Sequence, residues 1–192
     1  MPDLHQTVLY KTISSFAGFS TEVLSLFFNA AVIQRVKKKE YLLSEGEYCK
    51  SVYFIESGYL RTFTFKEGTE INIDFAFEGS FVTNLKSLRN GGASEVYIQA
   101  GEDSTIYSFE KSKLISLYDQ SPELESLGRN IMEHLLIAQE DHSKMFKIAS
   151  AAERYRHLRE SQPQMIQRVS ISQIASYLGV TRETITRIRK MK

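Results

Sequence analysis

Apolar residues recur at helical spacing at both ends of this chain, whereas its middle consists of short runs that alternate. Residues 4 to about 36 favour helix, because apolar positions fall three and four apart. The clearest of these positions are Val23, Leu24, Phe27, Phe28 and Ala31. Residues 37–109 are rich in aromatic and β-branched side chains and are interrupted by glycines. Short strands with regularly spaced turn signals predict a small β-barrel or sandwich there.

A long helix is predicted after residue 118. Pro122 suits the first turn of a helix, with Ser121 as its N-cap. A seam at four-three spacing then follows: Leu124, Leu127, Ile131, His134, Ala138, Asp141, Met145 and Ile148. Because two members of the seam are polar, the pattern indicates a helix that packs on a partner helix but not a perfect coiled coil. Packing within its own chain is the alternative.

The C-terminal pattern predicts two short helices joined by a tight turn. Ser170 and Gln173 fit a capping box, so one helix should begin near Ile171. Gly179 should end this helix, since glycine tolerates left-handed backbone geometry. Thr181 then fits the N-cap of a second helix. Helix, glycine-containing turn and helix together form a helix-turn-helix pattern.

Charge divides the chain in a way that its net value of +1 conceals. Residues 143–192 hold eleven Lys/Arg and three Asp/Glu, whereas residues 1–142 hold thirteen and twenty. A basic tail on an acidic body is expected of a nucleic-acid-binding module joined to another domain. A basic surface helix of no consequence is the alternative.

The outward face of the second short helix carries the candidate chemistry. Arginine can donate two hydrogen bonds to guanine, and a carboxylate can accept one from the cytosine amino group. The predicted base-contacting residues are Arg182, Glu183, Thr186 and Arg187. The predicted phosphate-contacting residues, which add affinity without reading sequence, are Ser170, Thr181, Arg189, Lys190 and Lys192.

These features together resemble the Crp/Fnr family of bacterial transcription regulators. GVTRETITRIRK is similar to the family's recognition helix, which implies base-contacting roles for Arg182, Glu183 and Arg187. AAERYRHL resembles the first helix of its DNA-binding domain, and YLLSEGEYCKSVYFIESGYLR resembles its barrel strands. The resemblance implies an α+β fold with an N-terminal β-roll or jelly-roll barrel, flanking helices, a long dimerisation helix and a C-terminal helix-turn-helix.

The resemblance also implies where the domains begin and end and which partners the chain binds. Residues 1–118 are expected to form a cyclic-nucleotide-binding-like sensor domain, residues 119–147 the dimerisation helix and residues 148–192 the DNA-binding domain. The expected dimer contacts are Leu124, Leu127, Ile131, Ala138 and Met145. A homodimer would bind a two-fold symmetric operator in double-stranded DNA. RNA polymerase and an unidentified small-molecule effector are further expected partners.

The segment that matches the family's phosphate-binding cassette lacks the cassette's identities. A Gly-Glu pair and an Arg-Ser pair are replaced by Thr83-Asn84 and by Ser94-Glu95. A carboxylate at Glu95 would repel a cyclic phosphate. We therefore predict a degenerate effector pocket that does not bind cyclic AMP. A regulator that binds cyclic AMP or cyclic GMP through other contacts is the alternative.

Other chemistries find little support in the sequence. Cys49 is the only cysteine, so an iron–sulfur cluster with several cysteine ligands is excluded. Residues 37–109 contain no histidine, which disfavours a metal site in the barrel. Neither catalytic motifs nor a signal peptide are recognisable. We expect a cytoplasmic protein without cofactor, metal, membrane or enzymatic activity, with a small β-barrel enzyme as the remaining alternative.

Overall fold

A computed structural model of the chain describes residues 4–16 and 18–190, and it leaves the side chains of residues 4, 141, 145 and 148 undescribed. Met145 and Lys192, predicted to contact a partner chain and DNA phosphate, therefore lie outside the described side chains. The structure divides into two compact units. The first consists of residues 1–61 and 76–135, and the second of residues 62–75 and 136–192. The domain borders predicted from the sequence stay a prediction.

The N-terminal segment is helical over a shorter range than the sequence predicts. After a 3-10 turn at Leu4–Gln6 come α1 (Val8–Phe16) and α2 (Thr21–Ala30). The helical prediction for residues 31–36 is wrong, because this segment forms β1 (Ala31–Val36). The strand pairs with a later strand of the sheet, and that long-range pairing outweighs the local helical spacing.

Eight strands form two sheets of four. The remaining strands are β2 (Tyr41–Leu43), β3 (Ser51–Ser57), β4 (Leu60–Lys66), β5 (Thr69–Ala76), β6 (Phe81–Val82), β7 (Tyr97–Ala100) and β8 (Ser104–Glu110). The first sheet has the order β1-β8-β3-β6 and the second the order β2-β7-β4-β5. In the first sheet β8 pairs antiparallel with both β1 and β3.

The predicted closed barrel is wrong, because both sheets are open. Closure requires the first and last strands of one sheet to pair with each other. The outermost strands are instead β1 and β6 in one sheet and β2 and β5 in the other. The short strands, the turn signals and the α+β class agree with the prediction. Two further helices accompany the strands, α3 (Leu85–Asn90) and α4 (Lys111–Tyr118).

Strands β4 and β5 form a hairpin whose turn contains Glu67 and Gly68. Both turn residues have positive φ, 52° at Glu67 and 78° at Gly68. Two consecutive residues in this conformation form the turn type whose twist matches that of paired strands. The hairpin belongs to the second unit, apart from the first two residues of β4 and the last of β5.

The long helix α5 (Pro122–Ile148) begins at the predicted proline. The structure contradicts three of the predicted dimer contacts, because Leu124, Leu127 and Ile131 lie in the core of the first unit at 0%, 0% and 4% exposure. Their seam spacing reflects packing within the chain, the alternative that the pattern left open. By contrast, Ala138 is exposed, as are Leu136 and Ile137.

Four short helices complete the second unit: α6 (Ala151–Ser161), α7 (Pro163–Arg168), α8 (Ile171–Tyr177) and α9 (Arg182–Lys190). A break separates α6 from α7, because α6 ends at Ser161, Gln162 lies between the two helices, and Pro163 begins α7. Proline suits this place, since the first turn of a helix needs no intrahelical N–H bond. Among the described helices, none is both long and apolar enough to cross a membrane.

Candidate nucleic-acid interface

Helices α8 and α9 begin and end on local signals that the sequence contains. The Ser170 hydroxyl accepts a hydrogen bond from the Gln173 N–H at 3.3 Å, and it donates one to the Gln173 side-chain oxygen at 3.0 Å. Gly179 follows α8 with φ of 66°, in the left-handed region that glycine favours. The Thr181 hydroxyl then accepts from the Thr184 N–H at 3.2 Å and caps α9. These short-range bonds define where both helices start.

A small apolar core supports the two helices within the second unit. Its members, all buried, lie in α6, α7, α8 and α9 or directly after these helices: Tyr155, Leu158, Met165, Val169, Ile174, Ala175, Tyr177, Leu178 and Ile185. Helix α9 contacts both α8 and α6. Since Ile185 is fully buried, one face of α9 is fixed inward, and the opposite face is presented to solvent.

All four predicted base-contacting residues lie on that outward face. Arg182, Glu183, Thr186 and Arg187 are exposed, and together with Lys190 they line one surface groove. Their spacing of one, four and five residues brings them to one side of the helix. The Thr186 hydroxyl donates to the Arg182 backbone oxygen at 2.9 Å, which orients the threonine along the helix.

Glu183 is held as a carboxylate at the start of α9. Hydrogen bonds from its own backbone N–H and from the Thr181 hydroxyl, in that order, lower the pKa of Glu183 below its ordinary value. The positive end of the helix dipole favours the same charge. Glu183 thus accepts hydrogen bonds at neutral pH, as recognition of a cytosine amino group requires.

The predicted phosphate contacts differ in how free their polar groups are. Arg189 and Lys190 are exposed near the end of α9 and add positive charge there, Lys190 within the groove and Arg189 outside it. The hydroxyls of Ser170 and Thr181 already cap helices, although both residues are exposed. Phosphate contact by any of these residues stays a prediction.

Arg154 supports the turn between α8 and α9, a role that the sequence did not reveal. Its guanidinium donates to the backbone oxygens of Ala149 at 2.9 Å and Leu178 at 3.0 Å. The Leu178 oxygen belongs to the residue that ends α8, where carbonyl groups lack intrahelical partners. The only sequence signal was the arginine content of α6, which fits DNA phosphate contact equally well.

The predicted effector segment forms a closed hydrogen-bond network in the first unit. Asn84 caps α3 by accepting from the Ser87 N–H at 3.1 Å, and its amide donates to the Ser94 hydroxyl at 2.8 Å. The Ser94 hydroxyl donates onward to the Val96 backbone oxygen at 2.7 Å. Thr83 donates to the backbone oxygen of Ser51 at 3.0 Å. The structure thus brings Asn84 and Ser94 together and satisfies them internally.

Glu95, the fourth residue of this set, takes a different position. It is exposed, and its carboxylate pairs with the Lys86 ammonium at 2.6 Å, with both side chains at least 70% exposed. An ion pair so open to solvent contributes little stability. Within the described residues no group of three or more His, Cys, Asp or Glu side chains could hold a metal ion.

One sequence family matches part of the chain. Residues 33–121 match the family model described as cyclic nucleotide-binding domain. This range covers most of the two sheets together with α3 and α4. No curated protein matches the chain in sequence.

Solved structures of bacterial regulators share the fold over most of the chain. The global regulator CLP from Xanthomonas campestris, described as responsive to c-di-GMP, aligns with a TM-score of 0.70 at 17% identity, over 90% of this chain and 91% of that one. A transcriptional regulator assigned to the Crp/Fnr family from Eubacterium rectale gives 0.67 at 20% identity, over 90% and 83%.

The catabolite activator protein of Thermus thermophilus gives a TM-score of 0.58 at 17% identity, over 94% of this chain and 85% of that one. At such identities the similarity establishes the fold. Residues 33–121 therefore match the cyclic nucleotide-binding domain model, and the chain shares its fold with the three regulators named above.

Proposed function

We propose that this chain is a sequence-specific DNA-binding transcription regulator of the Crp/Fnr type, which binds a two-fold symmetric operator as a homodimer. One observation carries the proposal: Arg182, Glu183, Thr186 and Arg187 share one exposed groove on α9. The matching structures of regulators support it at the level of the fold. α8 and α9 then act as a helix-turn-helix, with α9 as the recognition helix.

The dimensions and chemistry of α9 suit the major groove. An α-helix with its side chains is about 10–12 Å across, which fits a groove about 12 Å wide. Residues at the start of a recognition helix meet base edges, which is where Arg182 and Glu183 lie. The arginines can read guanine, and Glu183 can read cytosine. Arg189 and Lys190 then serve phosphate groups at the far end.

Selection from random DNA duplexes tests the proposal. The full chain should enrich duplexes with two inverted half-sites whose centres lie about 34–36 Å apart, one turn of DNA. Selection rounds repeated at higher salt remove the sequence-independent contribution of phosphate contacts. Enrichment of no common sequence, or of single half-sites alone, would contradict sequence-specific binding by a dimer.

The exposed middle of α5 is the surface that we expect to pair two chains. Leu136 and Ile137 are 68% and 60% exposed there, and Ala138 follows them. Introducing charge at both large side chains, as Leu136→Glu with Ile137→Glu, should convert the dimer to monomer, because unpaired carboxylates cannot be buried cheaply. Analytical ultracentrifugation measures the change.

A single charge added on the same stretch of α5 is the control. Ala138 and Gln139 are exposed like Leu136 and Ile137. Gln139→Glu adds one carboxylate without removing a large apolar side chain, and it should leave the dimer intact. A double variant that still sediments as a dimer would mean that another surface pairs the chains.

The effector pocket is expected to bind neither cyclic AMP nor cyclic GMP. Asn84 and Ser94 bond to each other, and Glu95 turns outward to pair with the Lys86 ammonium, so none of the three offers a free polar group to a cyclic phosphate. Titration calorimetry of the full chain should give no heat beyond dilution with either nucleotide. Micromolar binding would favour the second candidate, a cyclic-nucleotide-responsive regulator with contacts unlike those of the family. The observation that supports this second candidate is the domain match at residues 33–121.

The remaining predicted partners and the enzyme alternative depend on other evidence. An unidentified effector and RNA polymerase stay predictions that follow from the family resemblance. The matched proteins are named as regulators or as cyclic nucleotide-binding domains, which is consistent with a chain that is not an enzyme.

A further inference from the structure

The β4–β5 hairpin holds α8 through one side-chain hydroxyl in the second unit. The Ser176 hydroxyl accepts from the Asn72 N–H at 3.0 Å and donates to the Glu70 backbone oxygen at 3.0 Å. Glu70 and Asn72 belong to β5, the outermost strand of its sheet. Two residues apart on a strand, their backbone groups point the same way, so one hydroxyl can serve both. We call this the hairpin–α8 contact.

Aromatic rings extend the hairpin–α8 contact. The Tyr177 ring of α8 meets the Phe75 ring of β5 edge-on, with centroids 5.6 Å apart. It also meets the His142 and Phe146 rings of α5, at 5.4 and 5.8 Å. Both Tyr177 and Phe75 are buried, at 6% and 4% exposure. The cluster therefore joins β5, α5 and α8 through Tyr177.

His142 is the one member of this ring cluster that can change its charge near neutral pH. Its Nε2 atom is buried and has no hydrogen-bond partner among the described residues. Its ring lies 4.6 Å from the Phe146 ring, so its neighbours on two sides are apolar faces. A proton added to the imidazole would place an uncompensated charge among these rings, which is costly.

The charged and titratable groups around His142 come from three other elements. Asp74 of β5 attracts the protonated ring; although the residue as a whole is exposed, burial of its carboxyl group raises the pKa of Asp74, so its negative charge is itself disfavoured as the pH falls. Arg154 of α6 is the nearby cation, and its guanidinium lies over the Phe146 ring at 5.1 Å from the centroid. Tyr177 of α8 stays neutral, because burial raises the pKa of its hydroxyl. The effect of burial on His142 is therefore larger than the attraction of Asp74, and the neutral imidazole is favoured in the closed contact.

We infer that the hairpin–α8 contact is acid-sensitive: it is closed while His142 is neutral and opens when His142 takes up a proton. This property goes beyond DNA binding, since it concerns how the hairpin restrains α8, against which α9 packs. The opening requires only that the protonated imidazole leave the ring cluster for water. No covalent bond changes.

The direction of the pH dependence follows from the burial of His142. Burial lowers the pKa of His142 below its ordinary value of 6.5, and Asp74 opposes this shift only in part. The open form therefore binds a proton more tightly than the closed form. The closed contact has its full stability above the ordinary value and loses stability as the pH falls through and below it.

Hydrogen exchange on the full chain without DNA tests this inference, so its result is independent of the proposed function. The Asn72 N–H should be protected at about pH 7.5 and lose that protection at about pH 5.5, after correction for intrinsic exchange rates. The amides of β3 (Ser51–Ser57) in the first unit should stay protected at both values. Equal hairpin protection at both values would overturn the inference, as would simultaneous loss in β3, which signals global unfolding.

Three variants separate His142 from other causes. His142→Phe keeps an aromatic ring without a titratable nitrogen, and it should retain hairpin protection at both pH values. His157→Gln removes an exposed histidine of the same unit and should respond to acid as the natural chain does. Ser176→Ala removes the bridging hydroxyl and should lower protection at both values. Acid-induced loss that persists in His142→Phe would show that His142 is not the group responsible.

Discussion

An Arg182→Ala variant should lose about 30- to 20,000-fold in affinity for the selected operator, or about 2–6 kcal/mol, because the homodimer loses a contact worth about 1–3 kcal/mol in each half-site. The arginine lies in the first turn of α9, exposed, and in the same groove as Glu183 and Arg187. Because a bidentate contact reads one base, the variant should also accept other bases at one position of each half-site. Equilibrium binding to the operator and to single-base variants of it measures both effects.

Arg189→Ala is the matched control for this experiment. Arg189 is equally exposed on α9 but does not line the groove that holds Arg182. Its loss should weaken binding to all duplexes alike and reduce the salt dependence by about one phosphate contact. If Arg182→Ala behaves in this uniform way too, Arg182 contacts phosphate, and the assignment of base recognition to the start of α9 is wrong.

A Leu127→Ala variant should lower the free energy of unfolding by about 2–5 kcal/mol, as large-to-small changes in protein cores do. Leu127 is fully buried in the core cluster of the first unit, so its removal leaves a cavity. Domains are stable by only about 5–15 kcal/mol, so Leu127→Ala can leave the chain unfolded. In that case the milder Ile131→Val replaces it, which should lower the free energy of unfolding by about 0.5–1.5 kcal/mol. Denaturant unfolding followed by circular dichroism measures both.

The comparison with Gln139→Ala shows whether burial is the cause. Gln139 lies on the same helix and is exposed, so its replacement should change stability by less than about 0.5 kcal/mol. The Leu127→Ala chain that remains folded should still be a dimer. A stable Leu127→Ala chain that sediments as a monomer would restore Leu127 to the interface between chains.

The apolar seam of α5 shows what the spacing of residues can predict and what it cannot. Spacings of three and four predict that Leu124, Leu127 and Ile131 lie on one face of α5, and they do. The same spacing occurs whether the face packs on a second chain or on its own. Only the position of the helix in the first unit decides between these possibilities, because it places the three side chains at 0–4% exposure.

For the polar residues of the effector segment, the sequence likewise shows their identities but not their partners. The sequence shows that the identities of the phosphate cassette are replaced at Thr83, Asn84, Ser94 and Glu95. It does not show that Asn84 bonds to Ser94 or that Glu95 turns outward to Lys86. Side-chain partners nine and ten residues apart depend on the path of the loop between them, which residue types alone leave undetermined.

What the sequence determined by itself is the outward face of α9. Caps at Ser170 and Thr181, the glycine turn at Gly179 and the helical period are all interactions within four residues, so they place Arg182 and its neighbours without knowledge of the rest. The tertiary structure decided the hairpin–α8 contact. Ser176 meets Asn72 across 104 positions of the chain, and no local pattern records a pairing at that distance.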